Sequence, residues 1–223
     1  MKRRLEPELM EDAEQALAYA EADFSESNSL FMDLLAQQKP GALEGALALD
    51  LGCGPADISI RLLRAYPKAR CDALDGSPAM LDLARSALDQ LPGVAPRCRL
   101  VLDRLPSDQL APSHYDLVLS NSLLHHLPDP QVLWQGIRAS AKPGALVLVM
   151  DLMRPASAGW AEALVATYVD GAPEVLRNDF RNSLFAAFEP QEVAAQLAEA
   201  GLDMLEVGVV SDRHLAVWGR LPA

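Results

Sequence analysis

Ala48-Leu49-Asp50-Leu51-Gly52-Cys53-Gly54-Pro55 is the stretch on which the reading of this chain turns. Its first half reads as a buried strand. Its second half reads as a tight turn that opens into a helix. Gly52 and Gly54 lack a Cβ, so the backbone bends sharply there and can approach a ligand closely. The helix that follows offers unpaired backbone N–H groups at its first turn. In a parallel sheet this place, at the carboxyl end of a strand, is where a nucleotide-type ligand sits. The turn reads Gly-x-Gly-x-x-Asp, with Asp57 where a dinucleotide fingerprint carries its third glycine, which speaks against a pyrophosphate ligand.

Outward from this turn, strands and helices alternate. Strands are expected over 46–50, 71–75, 97–102, 117–121 and 145–151, with helices over 55–65, 78–90 and 130–141 between them. Such alternation implies an α/β fold with a doubly wound, parallel sheet covered on both faces. Ser77-Pro78 and Asp129-Pro130 each supply a capping side chain followed by proline at the first helical position. Lys142-Pro143-Gly144 is expected to end the helix before the fifth strand. Leu9, Met10, Ala13, Leu17, Ala20 and Phe24 recur near a 3.6-residue period, which predicts a helix over 7–24. A second short helix is expected over 30–38. Residues 154–188 form an alanine-rich insertion, read as two helices broken at Gly171-Ala172-Pro173. A helix from Glu189-Pro190 to Gly201 and a terminal antiparallel hairpin over 203–210 and 213–220 complete the chain. The whole, 1–223, reads as one domain, with 1–40 as a helical cap and 154–188 as a lid.

The 223 residues are enough for a sizeable core. The longest apolar run, from Ala145 to Met150, is far short of the roughly 18 residues of a membrane span. No apolar segment follows the basic Met1-Lys2-Arg3-Arg4, so a cytoplasmic protein is expected. Thirty-one acidic against 19 basic residues give a net charge of −12, which disfavours phosphate backbones and anionic membranes as partners. Cys53, Cys71 and Cys98 show neither pairing nor metal-ligand spacing and suit a reducing compartment. The adjacent His125 and His126 lack the i,i+4 helical spacing that lets two imidazoles share an ion, and no metal constellation is expected.

Asp50-Leu51-Gly52-Cys53-Gly54 resembles motif I of the class I S-adenosylmethionine-dependent methyltransferases. Asp75-Gly76-Ser77-Pro78-Ala79-Met80 resembles the second motif of that family, and Leu123-Leu124-His125-His126-Leu127-Pro128-Asp129-Pro130 its histidine-leucine-proline-aspartate stretch. The resemblance covers about 46–150. It implies a Rossmann-like sheet of seven strands in the order 3-2-1-4-5-7-6 with strand 7 antiparallel. It also implies S-adenosylmethionine as cofactor, S-adenosylhomocysteine as product, and in-line methyl transfer to an acceptor.

The resemblance also implies roles. Gly52, Cys53 and Gly54 form the cofactor turn, and Asp50 binds the N–H groups of that turn or the cofactor's ammonium. Asp75 takes the ribose hydroxyls, with Gly76 and Ser77 in the same turn and Met80 against the adenine. Asp103 accepts from the adenine amino group, with Arg104 flanking the ring. Asn121 and Ser122 lie beside the methionine portion, and Tyr19 helps to close the pocket. His125 and Asp151 are the catalytic candidates, because imidazole titrates near neutral pH and Asp151 ends the fifth strand. His126 reads as a substrate contact or as a residue that fixes its loop. On the lid, Leu176, Phe180, Leu184 and Ala187 share one stripe, and Asn178, Arg181, Asn182 and Phe185 the opposite one. The second stripe is taken as the substrate lining, and the alternative is a solvated face. Ser211-Asp212-Arg213-His214 reads as a polar hairpin turn. Acidity and the lack of an appended binding module favour a small-molecule acceptor. The alternatives are a tRNA or protein acceptor, or a cofactor-binding protein of the same fold without turnover.

Overall fold

The computed structural model describes residues 1–6, 22–38, 43 and 45–223. The helix expected over 7–24 lies almost wholly outside the described residues, as does Tyr19. The elements run α1 (Ser25–Gln37), β1 (Leu47–Leu51), α2 (Asp57–Ala65), β2 (Arg70–Asp75), α3 (Pro78–Asp89), β3 (Cys98–Leu102), β4 (Tyr115–Asn121), α4 (Gln131–Ser140), β5 (Ala141–Leu152), α5 (Ala158–Tyr168), α6 (Glu174–Ala186), α7 (Pro190–Ala200), β6 (Glu206–Val209) and β7 (His214–Arg220). Seven strands form one sheet in the order β3-β2-β1-β4-β5-β7-β6. The first five pair in parallel, and β7 runs antiparallel to both β5 and β6.

Period-two alternation along the central strands builds two cores. Leu49, Leu51 and Val118 pack on one face against Leu133, Trp134 and Ile137 of α4 and Val193 and Leu197 of α7. Ala48, Leu117, Leu119 and Leu148 pack on the other face against Phe31 and Leu35 of α1, Leu62 and Leu63 of α2, and Leu88 of α3. Buried on both faces, β1 and β4 need apolar residues almost throughout, which makes Asp50 in the middle of β1 stand out.

Helix ends follow the capping residues. The Ser77 hydroxyl accepts from Met80 N at 3.3 Å ahead of Pro78, and Glu189 and Glu192 form a reciprocal capping box. Asp129 Oδ1 accepts from Gln131 N at 2.9 Å, so α4 starts one residue later than expected. Lys142-Pro143-Gly144 does not separate helix from strand. It lies inside β5, where the register against β4 shifts between Tyr115 and Leu117. The irregularity absorbs a proline that a regular ladder would exclude.

The lid has a small core of its own. Leu152, Ala161, Leu164, Val165, Leu184 and Ala187 are buried together. Arg154, at the exit of β5, ties it to the body through Ala187 O, Glu189 and Glu192 at 3.2, 3.0 and 2.8 Å.

Candidate active site

The carboxyl ends of β1, β2 and β4 open into a cavity of about 640 Å³ beneath the lid. It is lined at one end by the glycine turn and at the other by His125, His126 and the lid.

At the first end the turn is built from backbone. Gly52 N and Cys53 N both donate to Leu74 O, at 2.8 and 3.0 Å. Gly52 has φ +71° and a Cβ there would stand 2.8 Å from the Leu123 side chain, so no other residue fits without displacing it. Gly54 has φ +53°, and a Cβ on it would project into open space. Asp75 staples this turn to the next: its Oδ2 accepts from Gly54 N and its Oδ1 from Ser77 N, both at 2.8 Å. A carboxylate offers about four acceptor positions in all, so these two bonds do not exhaust it. Burial pushes Asp75 upward, against the lowering effect of the backbone N–H groups of Ser77, Gly54 and Gly76.

Asp50 is buried, and its Oδ2 accepts from the Ser59 hydroxyl of α2 at 2.6 Å. Burial lifts its pKa to about 6 despite that bond. The turn N–H groups bond Leu74 instead, which removes one of the two roles expected for Asp50. Cys53 is a buried thiol whose pKa burial raises well above the ordinary value, consistent with its place against Ala73 and Leu81. Gly76, Ser77, Met80, Asp103, Arg104, Asn121 and Ser122 all line the same cavity. Asp103 accepts from Ser107 Oγ at 2.6 Å and from Arg104 N at 2.9 Å, which holds its carboxyl below the usual range. Asn121 Oδ1 is buried without a hydrogen-bond donor.

At the second end, Leu124–His126 form a single 3-10 turn after β4. The His125 ring is fixed by Asp151: Nδ1 stands 2.5 Å from Asp151 Oδ1, and His125 N donates to Asp151 Oδ2 at 3.3 Å. Burial favours the neutral ring, but the charge and hydrogen bond of Asp151 and the charge of Glu6 outweigh it and raise the His125 pKa. Asp151 itself does not line the cavity. Its oxygens are taken up by His125 and by Leu152 N at 2.6 Å, so its carboxylate is turned onto His125 and not into the cavity.

Glu6 completes this end, and no sequence pattern pointed to it. Its Oε1 lies 3.5 Å from His125 Nε2 and 3.2 Å from His126 Nδ1, and its Oε2 accepts from Ser183 Oγ at 3.2 Å. Arg3 fixes the segment, donating to Ala186 O, His125 O and Leu127 O at 2.6, 2.9 and 2.9 Å and stacking on Phe188. Burial raises the Glu6 pKa, opposed first by the His125 charge. Glu6, His125 and His126 thus offer three ligand atoms within 4.8 Å of one another, where no metal constellation was expected.

The lid lining is a second correction. Asn178, Arg181, Asn182 and Phe185 do not line the cavity; Leu176, Asp179, Phe180 and Ser183 do. Arg181 is turned outward onto Glu162, at 2.7 and 3.0 Å, and onto Asn178 at 2.8 Å, while Phe185 joins the lid core beneath Arg4. The other stripe divides along its length: Leu184 is buried in the lid, and Leu176 and Phe180 face the cavity. The hairpin turn also reaches the cavity through Arg213 and His214. Arg213 lies 3.4 Å over the Tyr168 ring, whose hydroxyl donates to Asp212 at 2.7 Å, so the turn is docked on the lid. Burial pushes His214 down to about 4.

Comparison with known proteins agrees with this layout. Residues 49–147 match the family model described as a methyltransferase domain. The ubiquinone biosynthesis O-methyltransferase of Bordetella bronchiseptica is 32% identical over 173 residues, 75% of this chain and 66% of that protein. The trans-aconitate 2-methyltransferase of an Enterobacter species is 40% identical over 86 residues, 38% of this chain and 31% of that protein. The chain therefore spans just under two thirds of the length of the first of these and about a third of the second. A solved methyltransferase structure from Aquifex aeolicus superposes over 93% of this chain and 98% of its own with a TM-score of 0.66, at 19% identity, and so shares the fold. With the strand order, the glycine turn and these matches in agreement, the chain belongs to the class I S-adenosylmethionine-dependent methyltransferase family.

Proposed function

We propose that this chain transfers the methyl group of S-adenosylmethionine to a hydroxyl of a small molecule. The observation that carries the reading is one continuous cavity with the glycine turn at one end and the His125 loop and lid at the other. The residues at the first end fit the cofactor. Asn121 Oδ1 is a buried acceptor without a donor, and the space a Cβ of Gly54 would fill is open. Asp75 has acceptor capacity left for a ribose diol, Asp103 for an adenine amino group, and ionised Asp50 suits an ammonium. The bound cofactor supplies an already activated methyl group, so the chain has mainly to align the acceptor and exclude water.

The second end fits a small acceptor with an apolar body and one polar head. Leu152, Leu176 and Phe180 offer apolar contact, and His125, His126 and Asp179 offer the polar groups. The names of the two curated relatives support a small molecule and, for the first, an oxygen acceptor. The net charge of −12 weighs against nucleic acid. Among the described residues no helix is long and apolar enough to cross a membrane. With three free cysteines, we place the protein in the cytoplasm.

The test is transfer of labelled methyl from S-adenosylmethionine to a cell lysate separated into small-molecule, RNA and protein fractions. Label in the small-molecule fraction is expected, on an oxygen. Label in RNA or protein overturns the acceptor class. No transfer to any fraction, with S-adenosylhomocysteine bound, overturns catalysis and leaves a cofactor-binding protein.

A further inference from the structure

Glu6, His125 and His126 meet at one side of the cavity, where Glu6 Oε1 is buried and accepts no hydrogen bond. We propose that these three residues form a binding site for one divalent transition-metal ion, zinc by donor type, at the acceptor end of the cavity.

Three independent observations support it. The first is spacing. Two ligands at about 2.0–2.1 Å from a tetrahedral ion stand about 3.3–3.4 Å apart. Glu6 Oε1 is 3.5 Å from His125 Nε2 and 3.2 Å from His126 Nδ1, so both edges that meet at Glu6 match one ion with little movement. The third edge lies within 4.8 Å. The second observation is an unsatisfied buried oxygen. The Glu6 side chain is 8% exposed, and its Oε1 accepts no hydrogen bond. The third is the group behind the first ligand. Asp151 engages His125 Nδ1 at 2.5 Å, so that in the neutral ring a proton on Nδ1 leaves the lone pair on Nε2, facing Glu6. A carboxylate on the far nitrogen is the usual partner of a metal-bound imidazole.

Charge agrees. Asp151 and Glu6 bring two buried carboxylates to one point, and Arg3 beside them directs its Nε and Nη2 donors to three carbonyls instead of to either carboxylate. A dication balances the pair. Two histidines and one glutamate form a three-ligand set of the kind that leaves a fourth position open in catalytic zinc sites. His125 and His126 both line the cavity, so that position faces the acceptor.

The consequence for the reaction rests on the function proposed above. Glu6, His125 and His126 would hold the ion, and it would make an acceptor hydroxyl at its open position more acidic, the proton passing to solvent. That oxygen would form its bond to the methyl carbon as the carbon–sulfur bond breaks and the electron pair stays on sulfur. His125 then acts as a metal ligand, and the acceptor needs no separate base.

The test uses the whole 223-residue chain, freed of metal with a chelator and titrated with zinc by calorimetry and with cobalt by visible absorption. One ion per chain is expected, with the absorption of a four- or five-coordinate cobalt. Glu6→Gln and His126→Gln should each weaken binding at least tenfold, and Asp151→Asn by 10–100-fold, while S-adenosylhomocysteine binding shows that the variants are folded. Absence of stoichiometric binding, or binding unchanged in both Glu6→Gln and His126→Gln, overturns the site. Methyl transfer that is indifferent to chelation overturns the catalytic role. Metal binding in a chain without methyl transfer leaves the site standing and defeats the function proposed above.

Discussion

Asp50→Asn should make the protein more stable and its cofactor site weaker, with both effects traceable to one buried charge. Asp50 sits in β1 with 1% exposure, bonded to Ser59, and burial lifts its pKa from 3.8 to about 6. In the unfolded chain the carboxyl titrates near the lower value. Between these values the native state binds the proton more tightly than the unfolded state, so stability from this group is lost as pH rises towards 6. A difference of about 2 pKa units, at 1.36 kcal/mol each, sets a ceiling of about 3 kcal/mol, of which roughly half accrues between pH 5 and 7. His214 contributes the opposite slope. Its pKa is pushed down to about 4, so it costs stability as pH falls below its ordinary value near 6.5. The informative quantity is therefore the difference between Asp50→Asn and wild type. Urea denaturation of both at pH 5 and pH 7 should show the variant gaining about 1–1.5 kcal/mol over wild type across that interval. A constant offset, from an imperfectly satisfied amide, does not alter the slope. Over the same range the variant should bind S-adenosylhomocysteine more weakly, by the roughly 1.5–3 kcal/mol of a hydrogen bond to a charged group. Parallel stability curves would refute the buried-charge argument, and unchanged affinity would refute the assignment of Asp50 to the ammonium.

Asp75→Ala should weaken S-adenosylhomocysteine binding by about 1.5–3 kcal/mol, read by calorimetry, and wild-type affinity would remove the ribose assignment. Gly52→Ala forces a Cβ into a left-handed turn 2.8 Å from Leu123, and the backbone alone should cost about 1–2 kcal/mol in denaturation; an unchanged midpoint would show that the turn relaxes freely. Arg154→Met removes the buried tie between β5 and the lid. Breaking a buried pair costs about 3–5 kcal/mol, but Glu189 and Glu192 stay 26% and 40% exposed, so about 1–3 kcal/mol is expected. The acceptor's Michaelis constant should rise with it, and an unchanged constant would separate the lid from acceptor binding. His214→Gln should flatten the loss of stability between pH 6.5 and 4, measured by thermal unfolding; a slope equal to wild type would contradict its burial as a neutral ring.

The sequence by itself determined whatever depends on neighbours along the chain. A glycine turn after a buried strand, a carboxylate ending the next strand, and Ser77-Pro78 as a helix start are local solutions to local backbone problems. They placed the strands of the central sheet, the order of those strands through the family resemblance, and residues 52–54, 75–77, 103–104 and 121–122 around one cavity. Tertiary structure decided what depends on direction and distance. On α6 the period separates two stripes but does not say which faces the cavity, and a lining stripe is as apolar as a core stripe. Leu176 and Phe180 were therefore indistinguishable from Leu184 until α6 docked on α5. Asp151 was placed at the right strand end, but only packing shows its carboxylate turned onto His125. Glu6 lies 119 residues before His125, and no spacing rule connects them. The interaction exists because Arg3 pins the segment to the carbonyls of the His125 loop and of α6, which carries the Glu6 carboxylate to the histidines. Backbone turns are encoded by the residues that make them, whereas a cluster of side chains from three distant segments exists only once the chain has closed on itself.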